Sequence, residues 1–199
     1  MKTKITREQI IDTTLSLIRD KNDLAGLNLR EIARSLGCAH TNLYNYFPSF
    51  NALLWAALSA LQERFMGIMR DNLAHAGTAD LKLKCFFDTF LTVYLGNQGW
   101  FRLAWLEYID GVRPAYNSEI IKKTRNELDA YAADILKELR GVSPDMETLS
   151  RAMHTTHCYI IGEVSNYISG RGLIDSEITF KEHTAGEAMR VFTLCMGEK

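Results

Sequence analysis

His40, Thr41, Asn42, Tyr44, Asn45 and Tyr46 make an almost unbroken run of hydrogen-bonding side chains, interrupted only by Leu43. The run holds no nucleophile with its own base, so it does not point to bond making. What it offers is recognition. Asn42 can pair bidentately with adenine, while His40 and Thr41 can hydrogen-bond a base edge or touch a thymine methyl. Tyr44, Asn45 and Tyr46 suit phosphate or sugar contacts, which position a protein on a duplex without reading its sequence. No Lys or Arg occurs between Arg34 and Arg64, so the run is uncharged at neutral pH unless His40 is protonated. Cationic contacts must come from Lys2, Lys4, Arg7, Arg30 or Arg34, with Lys2 and Lys4 on a terminal arm. Hydroxyls, amides and helix N-termini must supply the rest.

Such side chains need a rigid mount. Leu29, Ile32, Ala33 and Leu36 lay an apolar stripe on one short helix. Asn28 can cap its start, with Glu31 at capping-box spacing, and Gly37 can take the left-handed conformation that ends it. A second helix, about Ala39 to Tyr46, follows, with Leu43 and then Phe47 as the residues turned inward. Short helix, glycine turn and short helix with a polar outer face is the sequence form of a helix-turn-helix reader of the major groove. A helix from about Arg7 to Arg19 precedes it, capped by Thr6 with Gln9, with Ile11, Leu15 and Ile18 on one face. Ser49 caps a long helix that carries Leu54, Leu58, Leu61, Phe65 and Ile68 to about Leu73.

From Thr6 to Leu54 the chain resembles the TetR/AcrR family of one-component repressors. The resemblance rests on G-L-N-L-R-E-I-A-R-S-L-G, on T-N-L-Y-N-Y-F-P-S and on the apolar helix opening N-A-L-L. Its most specific element is Leu43, Tyr44 and Phe47 followed by Pro48 and Ser49. Beyond the first quarter of the chain the likeness is one of length and all-helical pattern. It implies DNA contacts from Arg30, His40, Thr41, Asn42, Tyr44, Asn45, Tyr46 and Ser49. It also implies a homodimer built on the last two helices and a small-molecule effector bound in the body. The chain departs from the family at two places. Ala39 stands where Ser or Thr is usual, which removes a side-chain cap, and Phe50 stands where Lys is usual, which removes a phosphate contact.

The expected fold is all-α, with a DNA-binding domain at 1–48 and a ligand-binding and dimerisation domain at 49–199. Residues 1–50 hold 7 Lys plus Arg against 5 Asp plus Glu, net +2, while the rest holds 16 against 19, net −3. The asymmetry has the sign that DNA requires, but it is small. No run approaches the roughly 18 apolar residues of a membrane span, and the N-terminus lacks the apolar region of a signal peptide. A cytoplasmic location follows, with Cys38, Cys85, Cys158 and Cys195 as reduced, packed thiols.

In the body, helices are expected over about Ala79 to Leu95, Gln98 to Ile109, Ser118 to Arg140, Ser143 to Ser169 and Ile178 to Met196. Phe86, Phe90, Tyr94, Trp100, Trp105, Tyr108 and Tyr131 would suit an apolar or aromatic effector, though many could be ordinary core. Glu107, His154, His157 and Glu163 are polar residues set in apolar helices, so each must be paired, exposed or facing a pocket. The residues expected to hold the effector are Phe90, Trp100, Trp105, Tyr108, Tyr131, His154 and His157. Thr156, Ile160 and Val164, with His183, Glu187 and Val191, are candidates for the dimer face or for internal core. His154, His157 and Cys158 converge poorly on one point, and no second Cys/His cluster follows, so neither a metal nor a cofactor is expected. An all-α enzyme and a regulator answering to a partner protein are the competing functions. The chain contains no paired carboxylates on adjacent turns, nucleophile motif or phosphate loop to favour the enzyme.

Overall fold

A computed structural model describes residues 5–197, and all regular secondary structure among them is helical. Lys2 and Lys4 lie outside the described residues. The described residues fall into two compact units, one of 5–64 with Asn97–Lys122 and one of Phe65–Gly96 with 123–197. No described helix is long and apolar enough to cross a membrane.

The first unit opens with α1 (Arg7–Lys21), whose Thr6–Gln9 capping box forms in full. In α2 (Leu29–Ser35) the Asn28 side chain accepts the N–H groups of Arg30 and Glu31. The Glu31 carboxylate pairs with Lys21 at 2.7 Å. Gly37 is left-handed at φ +66°. Its N–H bonds the Arg34 carbonyl, and that of Cys38 bonds Ala33, the paired bonds of a Schellman ending.

The second reader element differs from expectation. It is a 3-10 helix over His40–Asn45, with Ala39 giving no side-chain cap. Lacking that cap, the segment satisfies its end groups with i to i+3 bonds, such as Asn42 N–H to Ala39 and Tyr46 N–H to Leu43. Ser49 then caps α3 (Phe50–His75) through the Ala52 N–H.

Ile10, Leu15, Ile18, Ile32, Leu43, Phe47 and Leu53 are each at most 1% exposed and form one core. A second stretch of chain joins it. α5 (Gln98–Phe101) lies on α1 so closely that a Cβ on Gly99 would sit 2.1 Å from the Ile18 carbonyl oxygen. The Trp100 indole N–H donates to the Leu15 carbonyl at 2.8 Å. The helix expected to reach Ile109 loosens instead into a π-helical turn, Arg102–Leu106, closed by Glu107 N–H on the Arg102 carbonyl. Glu107 is exposed. α6 (Ala115–Arg140) starts three residues before Ser118, because the Pro114 carbonyl accepts the N–H groups of Asn117 and Ser118. Buried Asn117 donates to Ser59 on α3 at 2.9 Å.

The second unit packs α4 (Ala79–Gly96) against α7 (Met146–Ile168) and α8 (Glu177–Cys195). α7 is capped by Asp145, which accepts the Thr148 N–H, and not by Ser143. That bond and the neighbouring amides hold the Asp145 carboxyl below its ordinary range. Phe65, Phe86, Phe87, Phe90 and Phe192 interlock at centroid separations of 5.0–5.5 Å. Tyr167 stacks on Phe180 at 4.3 Å and ties α7 to α8. Thr156, Ile160 and Val164 are buried within the chain, as are Thr184 and Ala188 of α8. Those three residues of α7 are therefore internal core.

Candidate nucleic-acid interface

A 3-10 helix has three residues per turn, so side chains three apart eclipse. The reader thus presents three rows. His40, Leu43 and Tyr46 form the inward row, with Leu43 fully buried and the other two half-buried. Thr41 and Tyr44 form one exposed row, and Asn42 and Asn45 form another. Leu43 and Phe47 anchor the segment in the core, which holds both outer rows rigid. This is a surface of hydroxyls and carboxamides without a formal charge of its own.

The Asn42–Asn45 row opens into a groove whose far wall is α1, through Gln9, Asp12 and Thr13, and whose end is formed by Arg34 and the Gly37–Ala39 turn. Asp12 is ion-paired with Arg64, which offsets its charge beside the groove. Exposed Arg30 and Arg34 flank the reader on α2. Arg7 lies over the Phe47 ring at 4.9 Å, a cation–π contact that orients it beside the same anchor. Ser49 is exposed, with its hydroxyl on the Ala52 N–H. Tyr46 needs correction: its hydroxyl donates to the Ile5 carbonyl, so that proton is not directed to a phosphate. Tyr46 ties the reader to the chain ahead of α1.

The residues expected to hold an effector are distributed over both units. Trp100, Trp105 and Tyr108 belong to the first unit; Phe90, Tyr131, His154 and His157 belong to the second. Trp100 packs on the core of the first unit, and Tyr108 is 86% exposed, which is no position for lining an enclosed cavity of that unit. Tyr131 hydrogen-bonds Arg70 and so raises the Arg70 pKa above its ordinary value. His154 is exposed, beside Cys158.

Phe90 and His157 do converge, with ring centroids 5.0 Å apart. The Tyr94 hydroxyl meets His157 Nε2 at 2.8 Å. Burial of the imidazole, and then the nearby His154, push the His157 pKa down to about 4. The imidazole is neutral at pH 7, so the cluster is an aromatic wall with one uncharged polar pair. Sequence reasoning placed Tyr94 in the aromatic group but not in the site. Its spacing of four from Phe90 put it on the same face of α4; its histidine partner, on α7, has no local signal. Among the described residues no three His, Cys, Asp or Glu side chains are placed to share a metal ion.

No family sequence model matches the chain, and no curated protein matches it by sequence. Solved structures match along almost all of it. FadR of Bacillus subtilis, in complex with stearoyl-CoA, superposes with a TM-score of 0.68 at 19% identity, covering 96% of this chain and 98% of that one. FadR of Bacillus halodurans, a fatty acid degradation regulator, gives 0.67 at 19% identity, covering 98% and 97%. A TetR-family transcriptional regulator from Bordetella parapertussis gives 0.61 at 20% identity, covering 96% and 94%. The chain has the fold of TetR-family transcriptional regulators.

Proposed function

We propose that this protein is a dimeric transcriptional repressor that reads a near-palindromic operator and is released from it by a small, largely apolar molecule. The observation that carries the reading is the pair of exposed polar rows, Thr41 with Tyr44 and Asn42 with Asn45, mounted on buried Leu43 and Phe47. The rows offer donors and acceptors at a height that an aromatic or aliphatic surface could not. A single reader this short spans about three or four base pairs, so specificity requires a second copy on a two-fold-related half-site. The outward faces of α7 and α8 are where that copy would pack. The shared fold favours a regulator over an all-α enzyme.

For the effector, the cluster of Phe90, Tyr94 and neutral His157 favours a ligand with an apolar body and an uncharged hydrogen-bonding group. The acyl-CoA bound by the Bacillus subtilis neighbour is a long apolar chain on a polar head. That chemistry makes acyl chains the first class to try here. The test is footprinting on DNA flanking the protein's own gene, followed by competition with acyl-CoA thioesters and free fatty acids. Protection of two inverted half-sites, lost on adding one of these ligands, is the expected result. Protection that no apolar ligand relieves would remove the effector half of the reading, and no protection at all would remove the whole.

A further inference from the structure

α7 presents two donor atoms for a soft metal on its outer face. His154 and Cys158 are one turn apart and both exposed, and Cys158 Sγ lies 3.8 Å from His154 Nε2. Two ligands of one tetrahedral ion, with Zn–S near 2.3 Å and Zn–N near 2.0–2.1 Å, stand roughly 3.6 Å apart. The separation of the pair is therefore close to that of one edge of a zinc tetrahedron. Among the described residues no third His, Cys, Asp or Glu is placed to join them. His157 cannot do so: it packs on Phe90, and its Nε2 meets Tyr94.

The opposite face of α7 is taken up by Leu149, Ala152, Met153, Thr156, Ile160 and Val164. His154 and Cys158 thus lie on the face left for a second copy. A two-fold axis that crosses α7 beside Cys158 would set the same two residues of the second copy opposite them. Gly162, a further turn along the same row, has open space where a Cβ would stand, so a second helix can come close there. We propose that His154 and Cys158 of two copies form one shared zinc site with two sulfur and two nitrogen ligands. The inference rests on the dimer reading above. On binding, each Cys158 gives up its thiol proton to solvent and ligates as thiolate, while each His154 ligates as neutral imidazole. Because the ion joins only the associated chains, it strengthens association by mass action.

The experiment loads the full-length protein with zinc, removes excess metal, and measures metal per chain beside sedimentation with and without chelator. Cobalt replaces zinc for spectroscopy. Expected are one metal per two chains, a dimer that tightens with zinc, and a tetrahedral cobalt spectrum with thiolate charge transfer. Cys158→Ser and His154→Gln should each abolish the charge-transfer band or the retained metal. Both side chains are exposed, so the metal-free variants should melt as the parent does. A metal-free dimer that retains no metal overturns the shared site alone. One metal per chain, or a cobalt spectrum unchanged in Cys158→Ser, overturns it as well. A monomer under all conditions overturns the site and the dimer reading together.

Discussion

At the scale of single residues, Asn42 and Tyr44 stand on different rows of the reader and should fail differently when changed. Asn42→Ala removes a carboxamide suited to a bidentate adenine contact, so base preference in each half-site should relax. The loss should be about 1–3 kcal/mol per contact. Tyr44→Phe keeps the ring and removes only the hydroxyl, so binding should weaken alike on every sequence if that hydroxyl meets phosphate. Competition binding against a panel of operator variants separates the two. A Tyr44 variant with altered base preference beside an Asn42 variant with none would reverse the assignment. Tyr46→Phe should act through the head's stability, because its hydroxyl is bonded to the Ile5 carbonyl.

At the scale of elements, two glycines in helices should respond with opposite signs. Gly99 brings α5 against the backbone of α1, and the Ile18 carbonyl that a Cβ would strike cannot rotate away as a side chain can. Gly99→Ala should lower stability by about 1–3 kcal/mol, the usual cost of overpacking. Gly67, in the interior of α3, has nothing within contact of a Cβ, so Gly67→Ala should raise stability by about 0.5–1 kcal/mol. Asn28→Ala leaves the Arg30 and Glu31 N–H groups without their acceptor and should cost about 1 kcal/mol. Urea midpoints at constant m-value check all three; a neutral Gly99→Ala would mean that α5 can lift from α1.

At the scale of the whole molecule, a reader without Lys or Arg limits how much of the binding can be ionic. The cations available up to Arg34 are Lys2, Lys4, Arg7, Arg30 and Arg34, beyond those already paired with neighbouring acids. At roughly −0.9 in log–log slope per neutralised phosphate, two copies cannot exceed a slope of about −9, and a shallower value is expected. A steeper measured slope would place cations from elsewhere in the chain on the DNA. The effector response is a second whole-molecule property. A ligand releases the operator only by binding the free form more tightly than the DNA-bound form. His157→Ala should weaken that release while leaving operator affinity within a few-fold, because His157 lies in the unit that does not carry the reader. Release by a confirmed ligand that is unchanged in His157→Ala would place the ligand away from Phe90 and Tyr94.

The features legible in the residues alone were those whose causes lie within a turn or two of chain. Thr6 with Gln9, the Asn28 cap and the left-handed Gly37 act across three to five residues, and all three formed, with the Glu31 carboxylate on Lys21 where its spacing from Asn28 had suggested a capping box. The anchors Leu43 and Phe47 were legible for the same reason. What tertiary structure decided depended on partners far away in sequence. One difference had a local cause: with no cap at Ala39 the reader tightened to a 3-10 helix, which moved its side chains from a 3.6-residue to a three-residue rhythm. Tyr46 found Ile5, Trp100 found Leu15, and Tyr94 found His157, separations of 41, 85 and 63 residues. The aromatic residues that looked like one group divided between two compact units, because composition records how much apolar surface must be buried but not against which helix. The inward face of α7 was settled the same way: its periodicity was present in the sequence, and only packing against α4 and α8 chose which side of it became core.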